Sequence, residues 1–324
     1  DFLVNKYNRS HILLAALFFL IVGTFWLLGS LQEPLFYHLV GAPYHAQGNV
    51  VAYFFMMPLL ALYAIGLRRF SARRLLVIAA GCYALFFALA AFNLSYLPWG
   101  LKAAGPSVYN LTGWLIFAAI KSYGSFMVTL FWTYATSATS LEDSLYVFPF
   151  VTTCAQVGSF GGATLALIGA DWGSPVLIWI AIAGMLCMIA LLGFLKDDGP
   201  AKAQAAPGRF WQGLALVVKS PHLRGICVVS LAYLFIAAFF DYHMHYLAHQ
   251  AYPLHADFVR FKGMYGQWTN AVSFLLSLGL TGAALRSIGV RWGLLVYPSF
   301  TGFAVLLAWL VPSLGVVVVL TVAL

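Results

Sequence analysis

The sequence predicts an all-α polytopic membrane protein built from two helical halves, and three observations lead there. Of 324 residues, 63% are hydrophobic and 8% charged, whereas soluble domains are about half apolar and a quarter charged. The apolar residues form continuous runs of helical length, not the alternating ten-residue segments of a β-barrel. The charges gather in a few connections between those runs. Such a composition excludes an ordinary cytosolic enzyme, a disordered segment and a partner of polymeric nucleic acid. The 17 Lys and Arg against 9 Asp and Glu give a formal net charge of +8, which in so apolar a chain bears first on topology.

The runs give nine full spans and a truncated tenth: 11–32, 48–67, 75–94, 109–136, 146–169, 175–195, 224–249, 264–285, 291–310 and 313 onward. Lys6 and Arg9 precede the first run as they would in a signal peptide. The run is too long for one and lacks a small-residue cleavage site, so it is read as a spanning helix. The longest polar connection, residues 196–222, opens with Asp197-Asp198-Gly199-Pro200 and an Ala/Pro/Gly stretch, then runs into an amphipathic piece, Arg209 to Lys219. This reads as a flexible linker followed by an interfacial helix. It divides the chain into a six-helix half (1–195), a linker (196–222) and an incomplete second half (223–324). The final run is about 20 Å of helix against a bilayer core of about 30 Å. The expectation is therefore a chain that stops inside a helix, the last helices missing, with a further domain or protein partner beyond residue 324 left open.

Sorting the cations tests this topology. One side holds Lys6, Arg9, Arg68, Arg69, Arg73, Arg74, Lys196, Lys202, Arg209, Lys219, Arg224, Arg286 and Arg291; the other holds Lys102, Arg260 and Lys262. That bias predicts a cytoplasmic N-terminus in a multi-pass protein of the bacterial inner membrane. Arg68-Arg69 with Arg73-Arg74 after span two is echoed by Arg286 and Arg291 after span eight. Parallel halves of six helices joined by a cytoplasmic linker are the organisation of the major facilitator superfamily, whose central cavity is lined by the first and fourth helix of each half.

Ionisable groups inside a bilayer cost about 2.5 kcal/mol or more, so their positions are informative. Glu33 ends span one, Lys121 lies deep in span four, and Asp241, His243, His245 and His249 occupy the outer part of span seven. These are the cavity-lining spans of the expected fold. Lys121 is the candidate for binding a solute's negative charge, with Asp241 or Glu33 as its expected counter-ion. Asp241, His245 and His249 recur at i, i+4 and i+8 and so share a helix face with His243 and His255 nearby. That face suits substrate binding or proton coupling; a divalent metal on Asp241, His245 and His249 is the lesser alternative, and simple solvation at the interface is the bland one.

Gly158 and Gly162 in span five form a Gly-x-x-x-Gly pair read as helix packing, because no Lys-Ser/Thr follows as a phosphate loop requires. Pro34, Pro58, Pro149 and Pro298 stand where helices can kink or end. Cys82, Cys154, Cys187 and Cys227 are too dispersed for a metal motif and read as small buried apolar residues. Asn93 and Asn110 begin short sequons. No His-Glu-x-x-His, nucleophile elbow or dinucleotide fingerprint is present, so neither an enzyme nor a resident cofactor is expected.

Lys121-Ser122-Tyr123-Gly124-Ser125, Leu130-Phe131-Trp132, Phe148-Pro149-Phe150 and the glycines of span five resemble the nucleotide transporter family, the ATP/ADP translocases of plastids and intracellular bacteria. Gln250-Ala251-Tyr252-Pro253, Tyr265-Gly266-Gln267-Trp268-Thr269 and Arg286-Ser287-Ile288-Gly289 follow the same order. The resemblance implies a twelve-helix carrier of the major facilitator type that exchanges (antiports) nucleotides or related anions without hydrolysis. The chain departs from the family at its charges. Gln32-Glu33-Pro34 stand where members carry an Arg-Asp-Thr-Lys-Asp stretch, Lys121 where they carry Glu, and His245 where they carry Lys; Asp241 aligns with their Glu. The resulting expectation is a secondary transporter of a small polar anion in contact with membrane lipid, with a non-transporting sensor or scaffold on the same fold as the alternative.

Overall fold

The computed structural model describes residues 8–102, 105–195, 210–275 and 299–323. Every regular element among them is helical. In chain order they are α1 (Arg9–Leu39), α2 (His45–Arg69), α3 (Ala72–Tyr96), α4 (Leu111–Ala138), α5 (Leu141–Ile168), α6 (Ser174–Phe194), α7 (Phe210–Lys219), α8 (Pro221–Ala251), α9 (His255–Leu275), α10 (Ser299–Leu310) and α11 (Leu314–Ala323). Seven, α1 to α6 and α8, are long and apolar enough to cross a membrane, which makes the chain a multi-pass integral membrane protein. The linker residues 196–208, the basic echo at Arg286 and Arg291, and Pro298 lie outside the described residues.

Local chemistry sets the helix starts. Ser71 accepts from the Arg74 amide at 3.3 Å and Ser140 from the Asp143 amide at 3.1 Å, satisfying amides that have no partner within a first turn. Asn110 caps α4 through Gly113 and donates to the Trp99 carbonyl at 2.8 Å. Its side chain is thus spent on structure, and the sequon it begins is part of a cap. Gly173 enters α6 at φ +88° and Gly41 closes α1 at φ +118°, a left-handed conformation that a Cβ would strain.

The described residues fall into two compact units, residues 1–201 with 249–275, and 202–248 with 276–324. In the first, α1 is the hub, packed by α4, α5, α6 and α9. Leu17, Ile21, Leu28, Leu31 and Leu35 on it are fully buried. Lipid tails are as apolar as leucine, so helices in a bilayer gain little from hydrophobicity and depend on close packing. Gly158 and Gly162 supply it. A Cβ on either would run into the backbone of Phe19 or Gly23 on α1, and a Cβ on Gly23 would meet the Gly158 carbonyl at 2.9 Å. The packing role expected of this pair is realised. α9 repeats the device on the other side of α5, where a Cβ on Gly263 would lie 2.6 Å from the Leu167 amide.

In the second unit, α7 forms the expected helix after the linker and passes into α8 at Ser220, whose amide bonds Leu216 and whose carbonyl receives Arg224. Along α8, Phe240, Met244 and Ala248 are buried at successive turns.

Two expectations are corrected. The cysteines are free thiols, but none is buried: Cys82 and Cys187 are exposed and the other two half-buried. The eighth run was expected to begin at 264; its helix begins at His255, nine residues earlier. Asp257, Arg260 and Lys262 in its first two turns lower the local hydropathy, so a reading by apolar length starts it too late.

Candidate functional site

Lys262 is thereby moved from an outer connection into a packed helix, where it is 9% exposed. Its Nζ lies 2.9 Å from Oε2 of Glu33, itself 5% exposed, and 5.7 Å from the Tyr265 ring centre. Pro34 follows Glu33 inside an unbroken α1. The pair ties α1 to α9 where both charges have left water, an arrangement stable only while each keeps the other. Glu33 is therefore the partner of Lys262, not of Lys121.

Lys121 is the eleventh residue of the 28 in α4, about 15 Å from the helix start, and it is half-buried. Its ammonium donates a hydrogen bond to Asn49 Oδ1 on α2. It also sits 5.8 Å from the ring centres of Tyr53 and Phe117, within range of their negative faces. Phe117 is fixed in turn: Gln32 Nε2 donates to its carbonyl at 3.1 Å, and its ring leans on Phe36 at 4.6 Å. All these partners are neutral. A carboxylate would cancel the ammonium's charge; an amide oxygen and two aromatic faces hold the charge in place and leave it uncancelled.

The histidines divide. His249 sets its ring edge-to-face on Tyr37 at 5.0 Å and lies 5.9 Å from Phe258, an aromatic rather than a ligating environment. Tyr37 Oη reaches His45 Nδ1 at 3.1 Å. In the second unit, Asp241 Oδ1 stands 3.6 Å from Nδ1 of the buried His245 one turn on, as their spacing predicts. His243 points elsewhere and stacks on Phe239 at 6.0 Å.

His255, a neighbour of the cluster in sequence, is held by hydrogen bonds at both ring nitrogens. Nδ1 must carry its proton, because the atom it faces at 3.2 Å is the Pro34 carbonyl oxygen; Nε2 then accepts from the Ser174 hydroxyl at 2.7 Å. Burial, reinforced by neighbouring His38, pushes its pKa down to about 4, with the Pro34 bond opposing the shift. It is a neutral peg joining α9 to α1 and α6. Nearby, Arg260 bonds Asp171 at 2.6 Å and Asp257 at 3.2 Å, all three solvated.

Two residues that matter were missed, Asn49 and Lys262. Lys262, Gly266 and Asn270 recur every fourth position, and the small residues mark a packed face. Asn49, one polar residue near the start of an apolar run, carried no comparable signal. No protein-family model matches the chain and no curated protein resembles it at a significant level.

Proposed function

We propose that the protein is a secondary transporter that moves a small anionic solute by alternating access, on a scaffold of the major facilitator type related to the nucleotide translocases. One observation carries this reading: the ammonium of Lys121, well inside a membrane-length helix, is held, among the described residues, by neutral groups alone. An uncompensated charge at such depth costs several kcal/mol and usually marks a substrate or ion pathway. A solute carboxylate or phosphate would neutralise it, and Asn49 Nδ2 is available to donate to the same anion. The aromatic rings limit water around the charge, which strengthens its attraction for an anion.

The remaining assignments follow. Glu33 and Lys262 form a charge pair between α1 and α9 that holds the first unit together, while Asp241 and His245 on α8 form a carboxylate-imidazole couple able to take up a proton. The basic bias supports a cytoplasmic N-terminus and an inner-membrane location. The solute is a nucleotide-like molecule, another phosphate or an organic anion.

The test is a thermal-shift screen of purified protein against nucleotides, inorganic phosphate, organic anions and cationic controls, since a ligand of the folded state raises its stability. An anion should shift the melting curve of the native chain and fail to shift that of Lys121→Gln, and uptake of that anion into proteoliposomes should fall with it. Undiminished binding and uptake in Lys121→Gln would overturn the assignment.

A further inference from the structure

A groove of about 460 Å³ opens between α2, α3 and α4 in the first unit. Its walls are Leu59, Leu62 and Ile65 of α2, Ile78 of α3, and Phe126 and Leu130 of α4. The two hydroxyls along it are already engaged, Tyr63 with Thr133 at 2.7 Å and Tyr83 with Ser122 at 2.9 Å. It therefore offers a polar ligand almost nothing along its length. At one end stands Arg69, exposed, with no carboxylate among the described residues within ion-pair distance; Arg73 and Arg74 follow just past the turn at Ser71. From Phe55 to Arg69 the lining of α2 runs about 21 Å at 1.5 Å per residue, somewhat more than the depth of one leaflet's hydrocarbon, about 15 Å.

A long apolar trough closed at one end by an uncancelled guanidinium has the chemistry of one occupant. The geometry points to a bound anionic phospholipid of the leaflet on the arginine side, one acyl chain lying along Leu59, Leu62 and Ile78 and its phosphate on Arg69. Arginine presents a planar fork of donors to a phosphate, and basic pockets between membrane helices select anionic headgroups in this way. A zwitterionic lipid fills the trough equally well but brings no net charge to Arg69. A free phosphate brings the charge but cannot fill the trough. Two regions of α2 thus differ: Asn49, near its start, holds Lys121, whereas the groove runs along its second half.

The whole chain is placed in nanodiscs containing equal phosphatidylglycerol and phosphatidylcholine and released for native mass spectrometry. The native protein should retain phosphatidylglycerol preferentially. Arg69→Gln should reduce that preference about fivefold, the effect of one basic residue at a lipid headgroup. Leu62→Trp, at an exposed position on the wall, should lower the retention of both lipids. Both substitutions are at exposed sites, so folding is preserved. Cys82 lies on the groove wall, so a second copy seated there would bring two such thiols together. An unchanged lipid ratio in Arg69→Gln, lipid retention unaffected by Leu62→Trp, or a Cys82–Cys82 cross-link showing a second copy in the groove would each overturn the proposal.

Discussion

Lys262 on α9 lies 2.9 Å from the Glu33 carboxylate and is almost wholly buried, whereas Lys121 on α4 is half-buried against an amide oxygen and two rings. The same side chain, within one unit, is neutralised in one place and only positioned in the other. A neutralised charge can be taken fully from water because its counter-ion travels with it. A positioned charge keeps some exposure and remains able to attract. The first arrangement suits architecture and the second the recognition proposed for Lys121, and substitutions at the two sites should therefore fail in different ways.

The largest effect is expected at Lys262. Lys262→Met leaves Glu33 buried without its cation and should cost about 3–5 kcal/mol, read as a lowered melting temperature in detergent. The double variant Glu33→Gln with Lys262→Met removes both charges and should recover most of that loss; a double variant as unstable as the single one would contradict the pairing. Lys121→Met should reverse the pattern, with a melting temperature at or above that of the native chain, because it removes a charge that no counter-ion among the described residues offsets. Binding of the proposed anionic solute should weaken roughly ten- to a hundredfold, as expected when a hydrogen bond to a charged group worth about 1.5–3 kcal/mol is lost.

The α9 side should also respond to acid. His255 is neutral in the fold, with its pKa lowered from 6.5 to about 4, so between those values the unfolded chain binds the extra proton. Stability present above pH 6.5 is lost as pH falls through that window, by about 2 kcal/mol at pH 5. His255→Gln should flatten the dependence of melting temperature on pH. The smallest effect belongs to Arg260, whose pairs with Asp171 and Asp257 are solvated; Arg260→Gln should cost less than about 1 kcal/mol.

The two lysines also show what a sequence reveals. Helices α1 to α6 and α8 were legible because uninterrupted apolar runs of this length have few other uses, and Gly158 and Gly162 because only small residues allow such an approach. Lys121 stood out for the converse reason, a single charge in the middle of a run. Lys262 did not, because it occupies the polar beginning of α9, where a cation looks solvated until the opposing helix is in place. Its counter-ion is 229 residues earlier, at Glu33. Periodicity reports which residues share a face of one helix and nothing about what that face meets. The same limit explains Asn49: a polar residue becomes meaningful only when the helix carrying Lys121 is laid beside it.

The glycine contact between α1 and α5 has a mechanical consequence. Where Gly23 meets Gly158 and Gly162 backbone to backbone, no side chain lies between the two helices to change rotamer and absorb a displacement. The pair should behave as a stiff beam: spin labels on its outer faces should keep one separation with and without solute, and whatever hinge the protein has must be sought elsewhere.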